Sequence, residues 1–336
     1  MKFYKYLFMT TLIMSTIISI SSYSWLGMWM GLEINLLSFI PLMKDMNNIF
    51  PSEAAMKYFI TQACASSVLL FSVIMSLNMT DMSFDQYNSP LTIMLNSSLL
   101  MKMGAAPFHF WFPEIIDGLN WMNSLIILTW QKIAPFILIM YNNQMTFFIS
   151  IIIIISSLTG GIMGLNQVSL RKILAFSSIN HIGWMLASTL NSQNIWMIYF
   201  LIYSLITTSM ILFFKKLNTR YLSQLLNPLN SNKIIKMFFI LNFFNLGGLP
   251  PFTGFFPKWI TINNLIINNY YILSLILIIS TLITLFFYLR ISFSILTIYK
   301  MESTIEHSPK MPISITALNF ISLSSLIVCT AIFNFF

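Results

Sequence analysis

The sequence predicts an all-α protein that crosses a membrane many times. The 336-residue chain is 57% hydrophobic with a mean hydropathy of +0.80, and only 8% of its residues are charged. Soluble domains carry about 25% charged residues. The apolar residues are gathered into stretches of about 20, which is the length that an α-helix needs to cross a bilayer. We therefore expect a polytopic helical bundle in lipid and no soluble domain.

About eleven stretches satisfy this length requirement, and the segments between them are short. Because consecutive elements with short connections are usually adjacent in space, we expect consecutive crossings to be neighbours. We predict a single transmembrane domain over residues 1–336. The approximate crossings are residues 6–23, 25–43, 57–78, 90–106, 121–141, 146–165, 170–190, 194–214, 235–266 (broken), 270–296 and 312–335.

The basic residues fall on one side of the predicted membrane. If the chain changes sides at each crossing, fourteen of the seventeen lysines and arginines lie on the side of the N-terminus. Loops on the inner side of a membrane carry an excess of Lys and Arg, so this asymmetry predicts the orientation. It also accounts for the net charge of +8 without nucleic acid as a partner. The fourteen are Lys2, Lys5, Lys44, Lys57, Arg171, Lys172, Lys215, Lys216, Arg220, Lys233, Lys236, Arg290, Lys300 and Lys310.

Three lysines and one glutamate lie inside predicted crossings: Lys102, Lys132, Lys258 and Glu33. A charge at the centre of a membrane helix costs about 2.5–3.5 kcal/mol on insertion scales, so such residues usually face a bundle interior and mark ion or proton paths. Glu33 is the only acid in the middle of a predicted crossing, and Lys102 is its natural partner. An approaching carboxylate favours the protonated lysine, so the pair is predicted to hold and release a proton. The alternative is a permanent ion pair that joins two helices.

Each lysine has a proline break close by in the sequence. The helix that carries Lys102 is expected to end near Ala106, because the residue before a proline avoids the helical region. Pro135 deprives the carbonyl of Gln131 of its usual donor, which predicts a polar opening beside Lys132. The alternative for Lys132 is a side chain that extends to one membrane face.

Lys258 follows the sharpest break in the chain, a segment rich in glycine and proline from Gly247 to Pro257. Such residues cannot sustain a regular helix, and discontinuous helices line ion paths in transporters. The alternative is a surface loop between two full crossings. That arrangement would move Arg290, Lys300 and Lys310 to the opposite side of the membrane, so one broken crossing is favoured.

His181 lies in the most polar of the crossings, close to Ser177, Ser178 and Asn180. Ser177 and His181 are four residues apart and share a helix face. A histidine can relay protons near neutral pH, and the alternative is a hydrogen-bonded core histidine. The sequence slightly favours the core histidine.

The residues that redox or hydrolytic chemistry requires are missing from the sequence. The two cysteines, Cys64 and Cys329, lie in separate apolar runs and do not have the spacing of a metal site. There is no glycine-rich phosphate loop and no nucleophile paired with a base. We therefore expect the chain to bind no cofactor and no metal itself.

Five motifs resemble the chain 2 family of NADH:ubiquinone oxidoreductase, respiratory complex I, as encoded in mitochondria. They occur in the order of the family, and the resemblance runs from the first crossing to Arg290. The Met-, Phe-, Ile- and Asn-rich composition is similar to that of an insect mitochondrial protein. The motifs are Gly31–Asn35, Lys102–Trp111, Thr129–Pro135, Leu170–Trp184 and Gly247–Trp259.

The resemblance implies an antiporter-like helical bundle in the inner mitochondrial membrane, with the lysine-rich side facing the matrix. It implies proton movement along Glu33, Lys102, Lys132 and Lys258, with His181 as a candidate relay. NADH, FMN, the iron–sulfur clusters and ubiquinone would be bound by other subunits. The implied partners are other antiporter-like subunits, small core membrane subunits, accessory subunits and phospholipid, including cardiolipin.

Two other functions are compatible with the buried charges. A stand-alone cation/proton antiporter would use similar residues, although three lysines disfavour a bound sodium ion. A structural scaffold would use its buried charges only to pack helices.

Overall fold

The computed structural model describes residues 3–44, 48–79, 85–142, 145–225, 233–297 and 319–320. These residues form the thirteen α-helices given below, and their only β-type pairing is an isolated bridge between Ser169 and Tyr221. The helices are α1 (Phe3–Ser21), α2 (Trp25–Met43), α3 (Phe50–Met79), α4 (Asp85–Met103), α5 (Trp111–Gly118), α6 (Trp121–Leu128), α7 (Trp130–Tyr141), α8 (Thr146–Gly164), α9 (Leu170–Thr189), α10 (Gln193–Leu217), α11 (Lys233–Gly247), α12 (Phe255–Ile267) and α13 (Tyr271–Thr297).

The predicted fold class, an all-α polytopic membrane protein, is confirmed. Every predicted crossing up to 270–296 coincides with one helix or with two consecutive helices. Among the residues described, seven helical segments are long and apolar enough to span a membrane. The crossing at 312–335 lies outside the described residues, so the count of eleven stays a prediction. Lys2, Lys300, Lys310 and Cys329 also lie outside them.

The chain divides into an N-terminal unit, Met1–Ile152, and a C-terminal unit, Ile153–Phe336. In the N-terminal unit α2 packs against α1 and α3, and α4 packs against α3 and α7. The α1–α2 contact is close because Gly31 has no side chain: a Cβ there would lie 2.7 Å from the backbone nitrogen of Ser19. The side chain of Ser24 caps α2 by accepting a hydrogen bond of 3.2 Å from the backbone N–H of Gly27.

The helix with Lys102 ends at Met103, three residues before the position expected from the proline. Gly104 adopts a left-handed conformation with φ of +77°, and the N–H of Ala105 donates to the carbonyl of Leu100. A glycine in this conformation commonly closes a helix. The glycine rather than the proline therefore ends α4.

The break beside Lys132 also differs from the prediction. It lies at Thr129, between α6 and α7, and Pro135 is inside α7. The hydroxyl of Thr129 donates to the carbonyl of Leu125 at 2.8 Å. A threonine that bonds back to the preceding turn tends to bend a helix, and this signal was missed in favour of the proline.

The C-terminal unit is built around α9. Every residue of α9 except Lys172 is buried, and α10 and α12 pack against this helix. Arg171, one of the basic residues assigned to the side of the N-terminus, is buried. α8 approaches α9 closely at Gly160, where a Cβ would lie 2.6 Å from the backbone nitrogen of Asn180.

The predicted break within 235–266 is present, since α11 ends at Gly247 and α12 begins at Phe255. One side chain holds the two halves together: Asn245 Oδ1 accepts hydrogen bonds from the backbone N–H of Gly254 at 2.7 Å and from the hydroxyl of Thr253 at 3.1 Å. The break is thus a bonded structure with polar groups at membrane depth. Such backbone is tolerated only where protein or water satisfies it.

Candidate functional site

Glu33 lies in α2 and is partly buried. Its carboxylate is near enough to Lys102 for an electrostatic interaction. The buried Oε1 atom nevertheless has no hydrogen-bond partner among the described residues, and no ion pair joins the two described side chains. The permanent ion pair that the sequence left open is therefore not present in this conformation.

Lys102 is 7% exposed and borders a small cavity with polar walls. The cavity has room for about one water molecule. Gln62 donates from Nε2 to the backbone carbonyl of Lys102 at 3.4 Å, and Gln131 donates from Nε2 to Asn35 Oδ1 at 2.9 Å. The cavity is lined by Leu32, Asn35, Leu36, Tyr58, Gln62, Lys102, Gln131 and Pro135.

Lys132 is 1% exposed, so it does not extend to a membrane face as the alternative interpretation required. Its Nζ atom lies 5.6 Å from the ring centroid of Phe112. A cation over an aromatic face is attracted by the ring, by about 2 kcal/mol when both are desolvated. Gln131, which precedes Lys132 in α7, borders the Lys102 cavity. The N-terminal unit therefore brings Glu33, Lys102 and the helix of Lys132 to one polar region.

Lys258 lies in the first turn of α12 and is 6% exposed. Its Nζ donates to the carbonyl of Gly247, the last residue of α11, at 2.9 Å, and lies 6.0 Å from the ring centroid of Trp184. A cation at the C-terminal end of a helix interacts favourably with the helix dipole. The broken crossing thus provides its own acceptor for the lysine.

His181 faces the same break. Its Nδ1 atom is 2.9 Å from the hydroxyl of Tyr199, and its ring lies 5.1 Å from that of Tyr203. The histidine borders a cavity with room for about one water molecule. The cavity walls include Asn245, Gly254 and Pro257 of the broken crossing. The C-terminal unit therefore places both His181 and Lys258 beside one helix break.

Sequence reasoning missed several polar partners. The amides of Asn35, Gln62 and Gln131 and the hydroxyls of Tyr199 and Tyr203 lie around the predicted residues. Asn35 stands two residues after Glu33, and Gln131 stands directly before Lys132. An uncharged amide inside an apolar crossing is the signal that could have identified both residues.

Outside the crossings, two further groups are notable. His109 lies between α4 and α5, where burial lowers its pKa and a backbone hydrogen bond with Pro107 partly offsets the shift. Lys57, one of the basic residues assigned to the side of the N-terminus, pairs with Glu53 at 3.1 Å and with Glu114 at 2.9 Å. Within the part of the chain that the structure describes, no group of His, Cys, Asp or Glu side chains could hold a metal ion.

Comparison with known proteins gives the family. The sequence profile described as "NADH:quinone oxidoreductase/Mrp antiporter, TM" matches residues 22–284. A protein of Anopheles gambiae named NADH-ubiquinone oxidoreductase chain 2 is 50% identical over 97% of this chain and 97% of its own length. The chain belongs to the NADH-ubiquinone oxidoreductase chain 2 family. Two further chain 2 proteins support this assignment. The protein of Aedes aegypti is 48% identical over 97% of both chains, and that of Locusta migratoria is 45% identical over 98% of this chain and 96% of its own.

Solved structures confirm the antiporter-like fold of this chain 2 family member. A chain of respiratory complex I from Thermus thermophilus superposes with a TM-score of 0.86 at 21% identity, covering 96% of this chain and 78% of that one. A chain of the Mrp complex from Dietzia sp. gives a TM-score of 0.74 at 16% identity, covering 84% of this chain and 58% of that one. The resemblance seen in the five sequence motifs is thus confirmed at the level of family and fold.

Proposed function

We propose that this chain translocates protons as a membrane-arm subunit of NADH:ubiquinone oxidoreductase in the inner mitochondrial membrane. We assign the proton-carrying groups to Glu33, Lys102, Lys132 and Lys258, with His181 as a relay. One observation carries the assignment: three lysines lie between 1% and 7% exposed inside apolar helices of a chain 2 family member. Ionisable residues at such positions are usually functional.

In the N-terminal unit the switch is the separation of Glu33 and Lys102. When the carboxylate approaches, the protonated form of Lys102 is favoured, and when it withdraws, burial favours release of the proton. The neighbouring cavity has room for about one water molecule that can accept this proton. Asn35 and Gln131 supply polar atoms that orient such a water.

In the C-terminal unit the lysine is held differently. Lys258 donates to the Gly247 carbonyl when it is protonated. His181 and its cavity lie beside the same break, so the histidine is the titratable group that we assign as the relay next to this lysine. The imidazole accepts a proton at one nitrogen and releases one from the other.

The energies are of the right size for transport. Moving one charge against about 100 mV requires about 2.3 kcal/mol. A hundredfold change in proton affinity corresponds to about 2.7 kcal/mol. A carboxylate that moves towards or away from a lysine changes its proton affinity by about tenfold to a thousandfold, so the proposed switch is sufficient.

The redox reaction that drives this switch belongs to other subunits in the proposal. They bind NADH, FMN, the iron–sulfur clusters and ubiquinone, while this chain contributes the membrane path. Its partners are the other antiporter-like subunits, the small core subunits, accessory subunits and phospholipids such as cardiolipin. The single domain over residues 1–336 and the matrix orientation of the lysine-rich side are part of the same proposal.

The test is Lys132→Met in the intact complex, with Lys216→Met, an exposed lysine near the end of α10, as the matched control. We expect the Lys132 variant to assemble but to lose at least about tenfold in proton pumping, since loss of one well-placed proton-transfer group typically costs a hundredfold or more. The control should pump normally. Normal pumping by an assembled Lys132→Met complex would remove Lys132 from the path.

A cation/proton antiporter remains the second candidate, because the matching family includes Mrp antiporters. It predicts that proton movement depends on a sodium gradient in vesicles that contain the complex. Pumping that is driven by NADH and indifferent to sodium would exclude it. The scaffold alternative predicts unchanged pumping when Glu33→Gln and Lys102→Met are combined, since apolar replacements of a buried pair can be neutral for stability.

A further inference from the structure

The indole ring of Trp184 lies beside Lys258 and has no part in the proposed function. Trp184 lies on α9, three residues after His181, and is 1% exposed. Residues three apart share a helix face, and His181 borders the cavity whose walls include Gly254 and Pro257 of the helix break. The same face of α9 therefore presents both the imidazole and the indole to the broken crossing.

Three groups form a slot around the ammonium of Lys258. The Nζ atom donates to the carbonyl of Gly247 at 2.9 Å and lies 6.0 Å from the centroid of the Trp184 ring. The third group is Gly248, where φ is +74° and an added Cβ would lie 3.0 Å from both Cδ and Nζ of the lysine. Because this glycine has no side chain, the lysine reaches the carbonyl and the ring together.

The backbone that carries the ring is held by α8. At Gly183, the residue before Trp184, a Cβ would lie 2.7 Å from Ser156 Oγ and 3.2 Å from the carbonyl oxygen of Ile153. Helices packed this closely have no free space between them, so α9 cannot shift towards α8 at this level. In the pair of ring and ammonium, the lysine with its long side chain is therefore the flexible member.

Tryptophan is an unfavourable choice for this position unless its ring has a use. The Nε1 atom of Trp184 is buried and has no hydrogen-bond partner among the residues that the structure describes. A buried indole N–H usually finds an acceptor, and a buried donor without one destabilises the fold. Phenylalanine would fill most of the space without this cost. Among aromatic side chains, however, tryptophan attracts a cation most strongly, so a nearby ammonium explains the residue.

The carbonyl and the ring respond differently to the charge of Lys258. A carbonyl accepts a hydrogen bond from an N–H of the lysine whether the group is an ammonium or a neutral amine. The attraction of the ring is electrostatic and requires the positive charge. The Gly247 carbonyl can therefore hold the lysine in both protonation states, whereas the Trp184 ring holds it only in the protonated state.

We propose that Trp184 is a positioning residue for proton transfer at Lys258. Its ring keeps the ammonium in the slot while the lysine is protonated, and it lets the side chain move once the proton has left. The inference rests on the proposed function, because it requires Lys258 to carry a proton. In a purely structural role Trp184 would only fill space, and an apolar side chain without a ring would serve as well.

The experiment compares Trp184→Leu with Trp196→Leu in the intact complex. Trp196 is a second buried tryptophan of the C-terminal unit, 5% exposed, and its ring stacks on that of Phe200 at 5.5 Å. Both variants lose stability through the same large-to-small change. We expect Trp184→Leu to lower NADH-driven pumping per assembled complex about threefold to thirtyfold, the change in proton affinity that corresponds to one ring–ammonium attraction. Trp196→Leu should pump normally, and equal pumping by the two variants would overturn the proposal.

Two further variants separate the ring from its volume and serve if Trp184→Leu does not assemble. Trp184→Phe keeps an aromatic face and should pump within about threefold of the unaltered complex. Trp184→Met fills irregular space but has no ring, and it should pump as poorly as Trp184→Leu. Equal pumping by the phenylalanine and methionine variants would contradict a role of the ring face.

A double-mutant cycle measures the contact without any pumping assay. The thermal midpoint of the complex should fall less on Trp184→Met when Lys258→Met is already present, because the charge that the ring attracts is then missing. Strictly additive shifts of the midpoint would show that the ring and the ammonium do not interact, and would overturn the proposal.

Pumping by Lys258→Met separates this inference from the proposed function. If assembled Lys258→Met complex loses pumping while Trp184→Leu and Trp184→Met pump normally, the positioning role is wrong and the proposed function stands. If Lys258→Met itself pumps normally, Lys258 is not in the proton path, and the proposed function fails at this residue together with the inference.

Discussion

In the N-terminal unit Lys102 faces a carboxylate on another helix, whereas in the C-terminal unit Lys258 donates to a backbone carbonyl. The first partner is a side chain that can rotate, and its Oε1 atom has no bond in the structure. The second is the carbonyl of Gly247 at the end of α11, which is fixed by the helix. Two lysines with similar burial thus have partners of different mobility.

This difference indicates separate roles for the two units. A lysine whose countercharge can move changes its proton affinity when the carboxylate moves. A lysine held by a fixed carbonyl keeps its environment until the helix break itself changes. We therefore interpret the Glu33–Lys102 pair as the adjustable element and Lys258 as a group whose proton affinity is set by the backbone.

The largest expected effect comes from a substitution that prevents the backbone of the helix break between α11 and α12 from forming. In Gly254→Ala the new Cβ would lie 1.9 Å from the carbonyl oxygen of Asn245, so the broken crossing cannot keep its shape. We expect a loss of at least about 4 kcal/mol in stability, the range of severe core defects, and little assembled complex on a native gel. In the control Gly247→Ala the nearest neighbour of the Cβ beyond its own helix turn is a ring carbon of Tyr288 at 3.5 Å, and assembly should be normal. Normal assembly of Gly254→Ala would show that the break is not rigid.

The next effect tests the adjustable element. Glu33→Gln removes the charge that biases Lys102, and we expect coupled NADH oxidation and pumping to fall about tenfold or more, because a nearby opposite charge changes proton affinity by that factor. Assembly should be retained, since the Oε1 atom makes no hydrogen bond to lose. The control is Glu114→Gln, an exposed carboxylate paired with Lys57. Equal pumping in the two variants would remove Glu33 from the mechanism.

The smallest effect concerns the amides beside the adjustable element. Asn35→Leu or Gln131→Leu breaks their 2.9 Å hydrogen bond and leaves the other amide buried. Each single variant should lose about 1–3 kcal/mol of stability, and the double variant should lose less than the sum of the two. The thermal midpoint of the complex measures this coupling. Strictly additive losses would mean that the two amides act independently.

The sequence was sufficient for the crossings up to 270–296 and for the residues at the break of the ninth crossing, because their signals are local. Runs of apolar residues and the glycines and prolines of 247–257 determine helices and breaks through nearby contacts alone. The ends of α4 and α6 were misplaced because Pro107 and Pro135 were weighted above Gly104 and Thr129. α4 ends beside Gly104, which adopts a left-handed conformation, and the break between α6 and α7 lies at Thr129, whose hydroxyl bonds to the preceding turn.

The surroundings of the candidate residues could not be predicted from local patterns. The bond between Asn35 and Gln131 joins residues 96 positions apart, and the contact between His181 and Tyr199 joins two helices. Such contacts depend on helix rotation, which a period of 3.6 residues does not specify on helices that are apolar all round. The burial of Tyr199, Tyr203 and Tyr288 could therefore not be predicted from the sequence.

The close contact at Gly31 limits how Glu33 can respond to the rest of a larger assembly. With Ser19 against the backbone two residues away, α2 has no space to slide or turn against α1 at this level. An incoming mechanical signal would have to rotate the Glu33 side chain or displace the helices on its other side. A larger residue at position 31 would push the hairpin apart and change the resting distance between acid and base before any substrate is oxidised.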